Sequence, residues 1–408
     1  MLTWTRPISF VNARVVLPDG LASSIRFASR VLDVDAPPRA SDLVVDLNGA
    51  FVMPGLVNAH DHLELNHYGR LKLRERYENA SAWIDDLRPA LWTDPAIREN
   101  ASRPLGARLF IGALKNLLAG VTTVAHHNPR YREIGRRFPV RVMKRYGWAH
   151  SLSLAHHPVG AHGEPGGDVR ARYLATPVTA PFMIHVGEGV DEAAAAELGR
   201  LEELGCLRRN TVLVHGVALS PRDCERVVAS GASLVWCPAS NAFLFRRTAP
   251  VRHFLDASDR ASAHVCLGSD SRVTGARDLL DELRAAAAVM PVTPRELFRM
   301  VTTVPARILH LHDAGRIAIG GPADLVVVPS TKSDAADALF ATSRRDVSLV
   351  MIDGRPLVGS PALEAVFGAR RARTRPLLVD GIERVADSAL ARAIARCPIT
   401  EPGVECLP

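Results

Sequence analysis

Two histidines, His60 and His62, close the apolar run FVMPGLVNAHDHLEL at residues 51–65. In an extended strand the side chains at i and i+2 point the same way, so the two imidazoles can converge on one metal ion. The same punctuation recurs along the chain. His185 and Glu188 close PFMIHVGEG, His215 closes VLVHG, and Asp270 closes HVCLGSDS. A histidine pair, a third histidine and an aspartate suit a mononuclear Zn2+ or similar ion that keeps one position open for water. Any one of these histidines alone reads as a packed or exposed residue. The ordered series carries the metal reading.

Such a set needs a scaffold that brings several strand ends to one face. Leu105, Leu109, Phe110, Leu114, Leu117 and Leu118 recur at helical spacing. Gly120 follows where a C′ glycine ends a helix, and VTTVAHH reads as a buried strand. Later units repeat the plan. A helix from about Asp191 to Leu204 follows PFMIHVGEG, and Ser220-Pro221 opens another that stops near Gly231. SLVWCPASN and HVCLGSDS supply further strand endings, and Thr293 to Glu296 forms a capping box. Repeated βα units with apolar strands imply a parallel sheet. This many suggest a closed (β/α)8 barrel, whose C-terminal face is where such folds build active sites.

Both ends of the chain are β-rich, in residues 8–50 and again in GRIAIGGPADLVVVPS and SLVMIDGRPLVG, which suggests one small domain assembled from both termini. The expected division is residues 1–51 with 314–365 for that domain, 52–313 for the barrel, and 366–408 as a C-terminal extension. Between Pro139 and Pro181 two strands, PVRVMKRY and GWAHSLSLA, fit only with an unusually short connection. HHPVGAHGEPGG reads as a loop.

Composition bounds the function classes. The 408 residues are 47% hydrophobic and carry a formal charge of +7, with mean hydropathy +0.05, enough to bury a large core. The positive charge is almost all arginine, since lysine appears only at Lys72, Lys115, Lys144 and Lys332, and acidic residues are interleaved with it. That pattern argues against a nucleic-acid patch. Cysteines 206, 224, 237, 266, 397 and 406 form no CxxC pair, which points to free thiols in a reducing compartment, the cytoplasm by default. No apolar run approaches the roughly 20 residues of a membrane span. The expected partner is a small-molecule substrate, with neither nucleic acid nor membrane.

The motifs together resemble the amidohydrolase superfamily, in particular its cytosine deaminase and chlorohydrolase-like branch, which includes guanine and S-adenosylhomocysteine deaminases. PGLVNAHDHLE looks like that branch's PGLVNAHTHL, HVGE like its HxxE, LVHG like its strand-six histidine, WCPASN like its CPxSN and LGSDS like its LGTDG. GRIAIGGPADLVVV resembles GxIxxGxxADLVV, and the likeness runs from about residue 10 to 360. It implies a (β/α)8 barrel with a β-sandwich built from both termini, and a homodimer as in similar proteins. It also implies His60, His62, His185 and Asp270 as ligands of one divalent ion, Zn2+ first with Fe2+ or Mn2+ as alternatives. Glu188 would then shuttle protons and His215 would orient water or substrate. The residue chemistry agrees: Asp270 can accept a proton from water and a partly desolvated Glu188 can donate one. Lys144, the one lysine in a strand-like run, is a weak candidate for a carboxylated bridging ligand, which favours one metal over two.

The departures concern substrate. Asp61 stands where the branch carries threonine and reads as a structural acceptor rather than a ligand. Arg70, Lys72 and Arg74 could bind a substrate carboxylate, against the alternative of a solvated loop. His67, Tyr68, His126, His127, Asn241 and Ser271 are further candidates near the pocket, with His156 and His157 weaker. Trp83 and Trp92 read as core packing with some claim to the cleft. The expected activity is hydrolysis of a C–N bond in a small cyclic compound, deamination of an amino-substituted heterocycle first. The alternatives are amide or ring-opening hydrolysis, as in imidazolonepropionase-like relatives, and a non-catalytic scaffold.

Overall fold

The computed structural model describes residues 6–135, 138–152, 168–257 and 263–407. Eight parallel strands position the residues of interest: β1 (Leu56–Asp61), β2 (Val121–His126), β3 (Arg141–Val142), β4 (Gly147–Ser151), β5 (Phe182–Val186), β6 (Thr211–His215), β7 (Ser233–Trp236) and β8 (Val265–Leu267). They form two arcs, β3-β2-β1 and β4-β5-β6-β7-β8. The arcs meet beyond their last strands, where the Asp270 amide donates to the His60 carbonyl at 3.1 Å. Gly268 allows that approach, because a Cβ there would sit 2.6 Å from the His60 Cβ.

Alternation along each strand separates two kinds of burial. Phe182, Ile184 and Val186 of β5 pack outward with helix residues such as Leu114 and Leu198, while Met183 joins an inner cluster with Val57, Ala59, Ala125, Val212, Val214 and Val235. His185 follows Met183 on the inner face. The connecting helices begin and end where the sequence places them. Asp191 caps helix Glu192–Glu203, and Ser220 with Asp223 makes a capping box for helix Pro221–Ser230, which Gly231 ends at φ 76°. Thr293 and Glu296 form the second capping box. The connection expected to be short between Pro139 and Pro181 is short: residues 143–146 join β3 to β4. His156 and His157 lie outside the described residues.

The apolar run at residue 51 divides. Phe51–Pro54 enters a nine-stranded, mostly antiparallel sheet, and Leu56–Asp61 becomes β1. The larger sheet draws on residues 14–22, 325–328, 349–359 and 374–406, and a four-stranded sheet on residues 8–46. Ile8, Phe10 and Phe27 of the smaller sheet share one core with Val52, Leu325, Leu349 and Phe367. The stretch expected as a C-terminal extension thus supplies strands Thr374–Val379, Ile382–Asp387 and Val404–Cys406 to the larger sheet. Among the described residues all six cysteines are free, and no helix is long and apolar enough to cross a membrane. Trp92, expected to pack or cover the cleft, is 76% exposed, whereas Trp83 is half-buried and donates to the Leu71 carbonyl at 2.9 Å.

Candidate active site and metal centre

His60, His62, His185, His215 and Asp270 converge at the C-terminal ends of the strands, in two overlapping groups whose nitrogen and oxygen atoms are mutually within ligand reach. Hydrogen bonding fixes which nitrogen is bare on His60, His185 and His215. His127 Nε2 faces the Ala149 carbonyl at 2.9 Å, and a carbonyl only accepts, so Nε2 carries the proton and Nδ1 is an acceptor. His60 Nδ1 therefore donates to His127 Nδ1 at 3.3 Å, which leaves a lone pair on His60 Nε2. His185 Nδ1 donates to the His150 carbonyl at 2.6 Å, so its Nε2 is bare as well. Burial first, and neighbouring imidazoles second, hold His60 and His127 well below the usual histidine range. Both stay neutral.

The two bare Nε2 atoms of His60 and His185 are 3.3 Å apart. Two lone pairs facing each other at that distance repel unless a cation lies between them, and tetrahedral ligands about 2.0–2.1 Å from zinc have the same spacing. Asp270 completes the donor set. Its Oδ2 accepts from Ser240 Oγ and Thr274 Oγ1, each at 2.9 Å. Its Oδ1 accepts from the Ser271 amide at 2.7 Å and lies 3.9 Å from His60 Nε2 and 3.8 Å from His62 Nε2. The residues fit one divalent ion.

Two strand ends adopt left-handed backbone, His215 at φ 74° and Asp270 at φ 50°. On β6 Val212 and Val214 face inward, so alternation alone would turn His215 outward. The left-handed backbone re-aims its ring, whose centroid lies 5.3 Å from that of His185. Such a conformation is uncommon for a side-chain-bearing residue and costs on the order of 1 kcal/mol. Asn241 holds the result, accepting from His215 Nδ1 at 2.9 Å and donating to the His215 carbonyl at 3.5 Å. His215 Nε2 then faces Glu188 Oε1 at 3.4 Å. Burial pushes the Glu188 carboxyl up to about 7, His215 opposes the rise, and the charges of Asp270 and Glu197 add to it. Glu188 can therefore hold or release a proton near neutrality.

The remaining expected residues are placed as follows. His126 turns to the face opposite His127, where its Nδ1 accepts from the Leu63 amide at 3.3 Å. His127 touches His60 and engages both ring nitrogens with protein groups, so it braces His60. His67 Nε2 bonds the Asn100 carbonyl at 2.9 Å, away from the histidine cluster. Arg70 is exposed and donates from Nε to the Gly275 carbonyl at 3.1 Å, with its guanidinium over the Phe243 ring. It links the loop after Asp270 to the helix Pro238–Phe245 that carries Asn241. Arg74 instead pairs with Asp86 at 2.6 Å, and Lys72 donates to the Phe243 carbonyl at 2.9 Å. Lys144 is exposed beyond the end of β3, so it holds no bridging position.

Several site residues escape a sequence reading. His150 stacks 6.0 Å from His185, and Trp148 meets His127 edge-on at 5.7 Å. The signal lies in GWAHS, a strand with a histidine one residue before its end. Glu282 is fully buried and accepts from the Ala239 and Ala276 amides at 2.7 and 3.1 Å, bracing the start of the helix that carries Ser240 against the loop after Asp270. Its carboxyl is pushed by burial to about 8. Arg272, two residues past Asp270, donates to both oxygens of buried Glu401 at 2.8 and 2.6 Å, and Arg344 joins them at 2.5 Å.

Residues 174–357 match the model of the amidohydrolase family. They form an amidohydrolase-family domain. The match covers His185, Glu188, His215, Asn241 and Asp270, and the His60–His62 pair lies ahead of it. A 5-methylthioadenosine/S-adenosylhomocysteine deaminase of Halobacterium salinarum is 27% identical, over 83% of this chain and 88% of its own. The protein of that name from Thermococcus onnurineus is 24% identical, over 85% and 91%. Among solved structures, the atrazine chlorohydrolase of Arthrobacter aurescens complexed with zinc superposes with a TM-score of 0.67 at 20% identity, covering 88% of this chain and 98% of that chain. An adenosine deaminase from Xanthomonas campestris with bound zinc gives 0.65 at 20% identity, covering 90% and 97%. These likenesses show a shared fold of the TIM-barrel type with mixed α and β content.

Proposed function

We propose that this amidohydrolase deaminates an amino-substituted heterocycle, with one divalent ion held by His60, His62, His185 and Asp270. The observation that carries the reading is the meeting of two bare imidazole nitrogens, 3.3 Å apart, opposite a Glu188–His215 pair at 3.4 Å. The deaminase names of the relatives and the zinc in the solved neighbours support it. The proposal extends to the fold: a closed (β/α)8 barrel over residues 52–313, a β-sandwich from 1–51 and 314–365, and 366–408 as an extension of it. The enzyme would be cytoplasmic and act on a small molecule.

A divalent ion at this point acidifies water toward a pKa of about 7, and a set of imidazoles with one carboxylate suits Zn2+, with Fe2+ or Mn2+ as alternatives. The protein's groups do the rest. Asp270 offers a carboxylate to take a proton from the attacking water. Glu188, able to carry a proton near neutral pH, donates it to a ring nitrogen, and the proton that Asp270 took from water passes to the departing amine. His215 Nε2, bare because Nδ1 is committed to Asn241, accepts a hydrogen bond and fixes the attacking oxygen beside the ring carbon. Water adds, ammonia leaves, and the ring keeps a carbonyl where the amine stood. Arg70 and Ser271 are the proposed substrate contacts.

The test is a screen of purified, metal-loaded protein for ammonia release across purine nucleosides, pyrimidines, pterins and small cyclic amidines. Ammonia equal to the keto product supports the reading. Turnover of a cyclic amide to an open chain without ammonia would replace it.

A further inference from the structure

A charged pair sits behind the histidines and takes no part in the proton transfers above. Lys115, in the last turn of helix Leu105–Leu118, is fully buried, and its Nζ lies 3.0 Å from Oδ2 of equally buried Asp61, the residue between His60 and His62. The same Nζ donates to Asn66 Oδ1 at 2.7 Å, Ser269 Oγ at 3.1 Å and the Asp270 carbonyl at 3.3 Å. Asp61 Oδ1 accepts from Asn66 Nδ2 and its Oδ2 from Asn116 Nδ2, each at 2.7 Å. Asn58 reaches across as well, donating to Ser269 Oγ at 2.8 Å and accepting from the Ser269 amide at 3.0 Å.

This arrangement is more than a neutralised core charge. Replacing a buried ion pair by apolar side chains of similar volume often leaves stability unchanged or raised, so stability alone does not explain it. Its reach is specific. One ammonium touches the residue between two histidine ligands at one end and the backbone of the aspartate ligand at the other, across the seam where the two arcs of strands meet. Groups that orient ligands from behind set how tightly a site holds its ion.

We propose that Lys115 and Asp61 are a coupled positioning pair that sets the separation of the His60–His62 hook from Asp270, and so sets metal affinity and ligand geometry. The pair is not a ligand pair and touches no substrate. The inference rests on the metal reading given above.

The test uses Co2+ as the probe, in binding titrations and visible absorption of the full-length protein, with thermal midpoints measured in parallel. Asp61→Asn and Lys115→Met should each leave one buried charge uncompensated, lowering the midpoint and weakening Co2+ binding about 10- to 100-fold. The double variant should recover the midpoint, because both charges are gone, yet keep the weakened affinity and an altered cobalt spectrum. A double variant with wild-type affinity and spectrum overturns the proposal and leaves the pair a packing device. If the single and double variants fail to fold, Ser269→Ala, which cuts one link from Lys115 to the Asp270 strand, should still shift the spectrum; an unchanged spectrum there also overturns it. Wild-type protein that takes up no stoichiometric Co2+ sinks the metal reading itself, an outcome distinct from either.

Discussion

His127 Nδ1 accepts the hydrogen bond that leaves His60 Nε2 bare, at 3.3 Å, and the Ala149 carbonyl fixes that acceptor from the far side of the ring. An imidazole here does the work that a carboxylate or carbonyl does behind most metal-binding histidines. His127→Phe keeps the ring volume and removes the acceptor. Metal affinity should fall about 10- to 100-fold with the circular dichroism spectrum unchanged, as read by competition with a chelating dye. Unchanged affinity would mean that the His60 tautomer is set by something else.

The donor set fits a single ion. Elemental analysis of metal-loaded protein should give about one divalent ion per chain. His62→Ala and Asp270→Ala should each reduce that occupancy without unfolding the protein, and a chelator should abolish turnover until Zn2+ is restored. A stoichiometric pair of ions would contradict the assignment.

Glu188 faces His215 at 3.4 Å and belongs to neither ligand group. Glu188→Gln should retain the ion and lower kcat by about 10²-fold or more, the scale of a removed general acid or base. Loss of the ion together with an unchanged rate per bound metal would make Glu188 a ligand.

Arg70 crosses from the Gly275 loop to the Phe243 ring at the mouth of the site. If its guanidinium also meets an anionic group of the substrate, Arg70→Ala should cost about 1.5–3 kcal/mol of transition-state binding, roughly 10- to 100-fold in kcat/KM, at constant metal content. Wild-type kcat/KM in that variant would leave Arg70 a loop brace in solvent.

Burial alone would raise the Asp380 carboxyl, but hydrogen bonds and charge from Arg344 and Arg277 outweigh it and hold the group at about 2. A carboxyl depressed by folding stabilises the protein above its unfolded pKa of about 3.9, and that contribution fades as pH falls toward the folded value. Between about pH 4 and pH 2 the wild type should lose on the order of 2 kcal/mol from this group. Asp380→Asn should show a flatter acid limb in urea midpoints measured against pH. Parallel acid limbs would remove Asp380 from the account.

What the sequence revealed and what it hid have physical causes. His60, His62, His185, His215 and Asp270 were legible because each closes an apolar strand, and parallel strands of a repeating βα plan end on one side. The helix starts at Asp191, Ser220 and Thr293 were legible because capping is a local matter of three or four residues. Lys115 was not, since in an apolar helical stripe its neighbours say nothing of a carboxylate 54 positions away, and only the fold joins them. His150 was missed although its strand, Gly147–Ser151, was read, because that run continues into further apolar residues and does not visibly stop at the histidine. Trp92 looked like a core residue by type alone, and aromatic type is a weak guide where the helix that bears it lies at the surface.

The clasp between Arg272 and Glu401 sets an order in time. A ribosome adding about 5–20 residues per second needs on the order of ten seconds to travel from one partner to the other. Throughout that interval the nascent chain already contains His60, His62, His185 and Asp270, while the guanidinium beside the aspartate has yet to meet its carboxylate. The guanidinium two residues past Asp270 therefore gains its buried carboxylate only after 129 further residues have been made.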